Sequence, residues 1–568
     1  PGDPRWPSAA SWERLNQDVG GRLIAVESPL AACIDAPEST TCAHVFDGLQ
    51  NPYYLGDEVG LTQTLGWVDT WTSRPSVYAV AAGTTDAVVA AVNFAREHHL
   101  RLVIKGGGHS YQGTSNAPDS LLIWTRHMTA ITPHDAFVGT GCEGQVEAQP
   151  AVTVEAGAIW GQVYDAITTK SGRYVQGGGC LTVGVAGLIQ SGGFGSFSKA
   201  YGMAAASLLE AEIVTADGEV RIANACTHSD LFWAIKGGGG GSFSVVTKLT
   251  LRTHDLPEFF GAVFTTIEAA SDDAYRRLIG RIIAFYGEAL FNPHWGEQIA
   301  FRPGNVLDIA MVFQGLDRQQ AEATWRPFFE WLAAAPQDFS IVSGPTVLAA
   351  PSQPFWDPQF LAQVPGLVLA DDRPNAPETN VFWASNQEEA GQVLHGYQSA
   401  WLPASLLQEN WQQRLVDALF AATRHWSVSL HVNKGLAGAP TDAIEAARET
   451  ATNPAVLDAF ALIISAAEGP PAYPGLPGRE PDLRTAHTHA EVIDRAMHEV
   501  HKLLPSSGSY LAESDFFEAA WRDAFWGPNY AKLLAVKETY DPDDLFVVHH
   551  GVGSERWSAD GFSRVGGR

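Results

Sequence analysis

Two stretches of this chain are too rich in glycine to lie inside a helix or a strand, and each ends on reactive side chains. The first is Arg101-Leu-Val-Ile-Lys-Gly-Gly-Gly-His-Ser-Tyr-Gln-Gly113. The second is Gln176-Gly-Gly-Gly-Cys-Leu-Thr-Val-Gly-Val-Ala-Gly-Leu-Ile-Gln-Ser-Gly-Gly-Phe-Gly195. In the first, Leu102 to Ile104 reads as a short strand that runs into Gly106, Gly107 and Gly108. Such a turn lets successive main-chain N–H groups point into one concavity, which suits phosphate oxygens. His109 and Tyr111 stand at its mouth, and Cys180 follows a second glycine triplet in the same way. Alone, either stretch reads as a tight turn. Together they place an imidazole and a thiol behind two glycine turns about 70 residues apart.

Strand and helix alternate around these turns. Val77 to Ala81 reads as a strand, Thr84 to His98 as a helix capped by Thr84-Thr-Asp, and Leu121 to Trp124 and Ala151 to Glu155 as strands. Trp160 to Lys170 reads as a helix that stops at Ser171-Gly172. Residues 210–222 form a hairpin pattern with Asp217-Gly218 at its turn. Phe243 to Arg252 is a strand entered from the glycine run 237–241. Residues 1–75 read as an extended arm with short helices. This alternation predicts a nucleotide-binding lobe. No Gly-X-Gly-X-X-Gly opens a helix after a strand with an acid about twenty residues on, so the Rossmann reading fails. P-loop, His-Glu-X-X-His and Cys-X-X-Cys motifs are absent too.

Near Pro257 the pattern changes. Helices are predicted over Ser271 to Tyr286, Gln319 to Ala335 and Ala443 to Thr452. Strands are predicted over Gly261 to Thr266, Val306 to Gln314, Asn380 to Ala384 and Trp426 to Asn433. Antiparallel strands backed by helices on one face fit this order. At 568 residues two lobes are expected. A net charge of −27 makes nucleic acid or an anionic membrane surface an improbable partner, and no apolar run reaches 18 residues. His498 and His501, three apart on a predicted helix with His487 and His489 nearby, read as a solvated helix face before a metal site. No metal is predicted.

The two glycine stretches resemble the flavin core of the berberine-bridge-enzyme-like oxidases, in the vanillyl-alcohol oxidase and p-cresol methylhydroxylase superfamily. The resemblance runs to the C-terminus, where Trp521 to Leu533 and Lys537 to Phe546 resemble the family's closing motif. It implies an α+β fold of two lobes: a PCMH-type FAD-binding domain and an antiparallel-sheet substrate domain backed by helices. The implied division is 1–256 for FAD, with a core from about 72, then 257–505 for substrate, and 506–568 returning to the FAD domain. It also implies FAD joined covalently to His109 and Cys180. The first stretch then assigns Lys105, Gly106, Gly107, Gly108, His109, Ser110, Gln112 and Gly113 to the cofactor. The second adds Gly179, Cys180, Thr182, Val183, Gly184, Gly187, Ser191, Gly192 and Gly195. Ile213, Val214, Asn529 and Tyr530 complete the set. Val183 resembles relatives that let oxygen reach the flavin, and Leu188 replaces a histidine found in some plant members.

The flavin carries the redox chemistry, so the chain must supply a base and a place for the donor carbon. Relatives carry Tyr-X-Asn-Tyr-X-Asp where this chain reads Tyr510-Leu-Ala-Glu-Ser-Asp515. Glu513 thus stands where their tyrosine base stands, and a carboxyl titrates near 4.3 against about 10 for a phenol. Glu513 and Tyr111 are the catalytic candidates. His431, Asn433 and Lys434, on one predicted strand, are candidates for the substrate pocket, and His549-His550 for the flavin edge.

The expected function is an FAD-dependent oxidase of an alcohol, on a carbohydrate or a phenolic secondary metabolite, reducing O2 to H2O2. A dehydrogenase with another acceptor and a non-catalytic ligand-binding flavoprotein are the alternatives. Trp295, Trp356, Trp383, Trp401 and Trp426 could stack on sugar rings, but most of them are expected to be core, where Trp is mostly found. Cys33 and Cys42 close a short loop read as a disulfide, as the family often has. Cys142 and Cys226 are either a second pair or two buried thiols. A disulfide implies an oxidising compartment, and the absence of Asn-X-Ser/Thr leans towards a secreted or periplasmic bacterial protein. The chain begins Pro-Gly-Asp-Pro, so processing or trimming of its start is expected.

Overall fold

The computed structural model describes residues 1–558 and 561–565. Among these, a four-stranded sheet places Leu23–Ala25, Tyr78–Ala81, Ser120–Trp124 and Arg101–Lys105 in that order, the last three strands parallel. The helix Thr85–Glu97 lies on it, started by Thr84, whose hydroxyl accepts from the Ala87 N–H. A second, antiparallel sheet runs Val220–Asn224, Leu208–Thr215, Ser244–Asp255, Gln149–Glu155, Ile131–Phe137. Its first hairpin turns at Asp217-Gly218, where Gly218 takes a φ of 81° as the sequence demands. Arg101–Lys105 ends at the first glycine turn. The second turn leaves the short strand Arg173–Val175.

The third sheet has nine strands. Its order is Phe339–Pro351, Phe259–Ala269, Val306–Gln314, Trp295–Arg302, Val428–His431, Ala459–Gly469, Gln392–Pro403, Thr64–Trp67, Trp71–Thr72. Alternate residues Leu307, Ile309, Met311 and Phe313 enter one core. The helices Asp272–Phe285, Arg318–Ala333, Glu409–Thr423 and Leu483–His501 cover that face. Ser271 and Asp317 cap the first two of these helices.

The opposite face meets the rest of the molecule. One rung crosses it through Ala310, Gln298, His431, Leu462 and Trp401. Leu462 and Trp401 pack with Phe194 of the second glycine stretch and Tyr510 of the C-terminal segment. Thr64–Trp67, within the N-terminal arm, pairs in parallel with Gln392–Leu394, so this arm also belongs to the large sheet.

Two expectations change. Val381–Trp383 pairs with Val368–Ala370 in a separate ribbon and lies outside the large sheet. Strands Trp295–Arg302, Phe339–Pro351, Gln392–Pro403 and Ala459–Gly469 were not foreseen. Ala459–Gly469 is a near-continuous apolar run, which periodicity cannot assign to strand or helix. Trp295, Trp356 and Trp401 are 2%, 7% and 1% exposed, so they are core and cannot stack on a substrate. Both cysteine pairs, Cys33–Cys42 and Cys142–Cys226, are disulfides, which settles the second pair's open alternative. No described helix is long and apolar enough to cross a membrane.

The C-terminal segment closes onto the glycine run 237–241. Trp526 Nε1 donates to Gly237 O at 3.0 Å, and a Cβ at Gly238 would lie 2.8 Å from Leu533. Lys537 Nζ, fully buried, donates to Ser242 O at 2.8 Å, Phe546 O at 2.6 Å and Asp541 Oδ2 at 2.5 Å. Asp541 in turn accepts from the Leu545 and Phe546 N–H groups. Lys537→Met therefore leaves a buried carboxylate without its counter-charge. We expect a loss of roughly 3–5 kcal/mol, read as a lower urea midpoint at unchanged slope.

Candidate active site

The two glycine turns touch each other. A Cβ at Gly107 would lie 2.6 Å from Gly184 N, and one at Gly184 would lie 2.9 Å from Gly107 N. A Cβ at Gly195 would lie 1.7 Å from Gly177 O. Backbone therefore runs against backbone, which only glycine permits. Among the described residues the N–H groups of Gly107, Gly108, His109 and Ser110 donate to no main-chain carbonyl or side chain. Four such donors in one turn are available to an anion or a polar ring edge. Gln112 adds an orphan: its Nε2 donates to Ser514 O at 2.9 Å, while its buried Oε1 has no partner.

His109 and Cys180 arrive at one point. The Thr182 hydroxyl lies 3.3 Å from His109 Nε2 and 3.6 Å from Cys180 Sγ. Burial pushes the His109 imidazole down to about 4, so it is neutral at pH 7. Burial, and next the charge of Glu389, push the Cys180 thiol up to about 11, although the Thr182 hydroxyl and the Thr182 and Val183 N–H groups favour the thiolate. One cavity is lined by His109, Tyr111, Cys180, Thr182, Glu389 and Gln392 among others.

Around it stands a set of acids with one lysine. Glu513 Oε2 accepts from Lys434 Nζ. Glu297, with φ at 67°, accepts from the Ser196 hydroxyl and lies 3.7 Å from where a Gly179 Cβ would be. Burial raises the Glu297 carboxyl, against the Ser196 bond and Lys434. Glu389 is exposed as a residue, yet the surroundings of its carboxyl, their desolvation first, push it up to about 7. The Tyr111 and Tyr397 rings meet at 5.4 Å. Burial, then the nearby carboxylates, push the Tyr111 phenol well above its ordinary range, so it stays protonated. The same holds for Tyr397. His431 is held neutral by burial and by Lys434, and Asn433 Nδ2 donates to Gly195 O at 3.2 Å.

Other candidates are engaged elsewhere. Lys105 Nζ donates to Val59 O at 2.6 Å and Leu61 O at 2.8 Å, clamping the N-terminal arm. The Ser110 hydroxyl accepts from Thr114, and the Ser191 hydroxyl donates to Gly187 O. Gly113, at φ 70°, lies against Trp71, and Gly192, at φ 97°, against Thr452. Ile213 and Val214 send their side chains into two different apolar clusters. Asn529 donates to Ala451 O and Thr452 O, and the Tyr530 hydroxyl to Glu555. His549 stacks on Phe516 and His550 on Trp521, as packing residues. No group of three His, Cys, Asp or Glu among the described residues could hold a metal.

Glu389 and Glu297 escaped the sequence reading. Neither sits in a motif, and Glu389 lies in the turn before the unforeseen strand Gln392–Pro403. A positive-φ glycine, Gly391, whose N–H donates to Gln63 O, is the only local sign.

The family described as FAD binding domain matches residues 76–224, and the one described as berberine and berberine like matches residues 509–553. FAD-linked oxidoreductase malF of Malbranchea aurantiaca is 30% identical, over 98% of this chain and 92% of that protein. VAO-type flavoprotein oxidase VAO615 of Thermothelomyces thermophilus is 28% identical, over 100% and 94%. The solved structure of MtVAO615 from Myceliophthora thermophila C1 superposes with a TM-score of 0.79 at 25% identity, covering 98% and 97%. Glucooligosaccharide oxidase of Acremonium strictum, which carries a 6-S-cysteinyl, 8α-N1-histidyl FAD, superposes at 0.65 with 18% identity, covering 93% and 99%.

Proposed function

The chain belongs to the berberine-bridge-enzyme-like FAD-linked oxidoreductases, and from that premise we propose that it is an alcohol oxidase holding FAD on both His109 and Cys180 and reducing O2 to H2O2. The observation that carries this reading is the meeting of His109 and Cys180 on the Thr182 hydroxyl. The free N–H groups of the first turn and the Gln112 orphan fit a polar cofactor there. Bound FAD supplies a two-electron acceptor for hydride from the alcohol carbon and passes the electrons to O2.

The chain's own groups divide the remaining work. Tyr111 and Tyr397, kept protonated, donate hydrogen bonds that orient the substrate oxygen. Glu513 takes the hydroxyl proton, and Lys434 balances its charge. His431, kept neutral, and Asn433 line the sheet side. The N-terminal lobe with residues 506–568 holds the cofactor, and the large sheet holds the substrate. Two disulfides support folding in an oxidising compartment. An alcohol panel, sugars and phenols included, tests the reading: one mole of H2O2 per mole of O2 consumed is expected. Flavin bleached by substrate but not restored by air would favour a dehydrogenase.

Val183 directly follows Thr182, with its N–H 3.4 Å from Cys180 O and its side chain half-buried. Val183→Leu adds bulk beside the attachment point. Reoxidation by air should slow on the order of tenfold, about 1.4 kcal/mol, with reduction by substrate unchanged in stopped flow.

A further inference from the structure

We propose that Glu389 accepts the proton of Cys180 when the sulfur is joined to the flavin, making it the base of the protein's own cofactor attachment. This rests on the reading that Cys180 carries FAD. The cavity that holds His109, Tyr111, Cys180 and Thr182 is also lined by Glu389, the one carboxyl on that wall among the described residues. The residue is exposed, so its carboxyl is open to solvent as well as to the cavity. The turn that carries it is fixed on both sides. Gly391 N donates to Gln63 O at 2.7 Å, Ala390 N donates to Gln387 O at 3.2 Å, and Gln392 opens the strand that follows.

Cys180 needs such a base. Its sulfur already has thiolate-stabilising donors from Thr182 and Val183, but burial keeps it a thiol at neutral pH. The other lining groups cannot take the proton. His109 is itself the other residue proposed to carry the flavin, and Tyr111 is a protonated phenol. Glu389 presents a carboxylate on the same cavity wall as Cys180 and is open to solvent, so it can take the proton and pass it on. In the step, the S–H bond breaks and its proton goes to Glu389. Sulfur bonds to the ring carbon, whose hydrogen leaves as a proton. The electron pair passes to the ring and then to dioxygen, the oxidant, which leaves as H2O2.

The test is peptide mass spectrometry on full-length protein produced with its own FAD. Wild type should give flavin on both the His109 and Cys180 peptides. Glu389→Gln should give flavin on the His109 peptide and a free Cys180 thiol, attachment being slowed about 10²–10⁴-fold. Glu389→Asp keeps a carboxylate and should restore the Cys180 linkage. Full Cys180 linkage in Glu389→Gln would overturn the proposal. Equal loss in Glu389→Gln and Glu389→Asp would overturn it too, assigning the residue a packing role. A wild-type Cys180 peptide without flavin would overturn the underlying reading first, and this inference with it.

Discussion

Glu513→Gln should slow flavin reduction by substrate about 10²–10⁴-fold, the range for removal of a positioned base. The amide keeps the shape of the carboxyl but cannot take the hydroxyl proton. The backbone at this residue is pinned without help from the side chain. Ser399 Oγ donates to Glu513 O at 2.5 Å, and Glu513 N donates to Tyr510 O at 2.9 Å. The next residue, Ser514, is held by Gln112. The fold, the bound flavin and substrate affinity should therefore survive, and the loss should appear in the reductive step of a stopped-flow experiment. Tyr111→Phe is the companion. Its phenol is already fixed in the protonated state, so its removal should cost one hydrogen bond, about tenfold or less. Unchanged reduction in Glu513→Gln, with a large loss in Tyr111→Phe, would move the base to Tyr111.

The parts of this site that lie in one stretch of chain were legible in the sequence. Glycine triplets before His109 and Cys180 announce two turns, because no other residue lets Gly107 and Gly184 pass so closely. Asp217-Gly218 announces its hairpin. What joins distant stretches was not legible. Lys434 and Glu513 are an ion pair across the large sheet and the C-terminal segment, and neither residue's neighbours in sequence point to the other. Thr64–Trp67 gives no sign that it will pair with Gln392–Leu394. Glu389 depends on that same strand being recognised, so missing Gln392–Pro403 hid the acid beside Cys180. The tryptophans were legible from composition alone. Their aromatic surface could stack on a substrate, but burial is the commoner use of Trp, and Trp295 and Trp401 fill cores as that expectation had it.

The two residues proposed to carry the flavin come from separate turns, so each should hold it without the other. His109→Ala should retain it through Cys180, and Cys180→Ala through His109. The double variant loses both bonds, and its FAD should be released by denaturation. It should also lose most of the cofactor during purification, because the open turn of Gly107 to Ser110 then holds FAD by hydrogen bonds alone. The direct measurement is acid precipitation of the wild-type protein followed by absorbance of pellet and supernatant and mass spectrometry of the digest. The account predicts a yellow pellet, a colourless supernatant, and flavin mass on the peptides containing His109 and Cys180. Yellow supernatant over a colourless pellet, with both peptides unmodified, would contradict it.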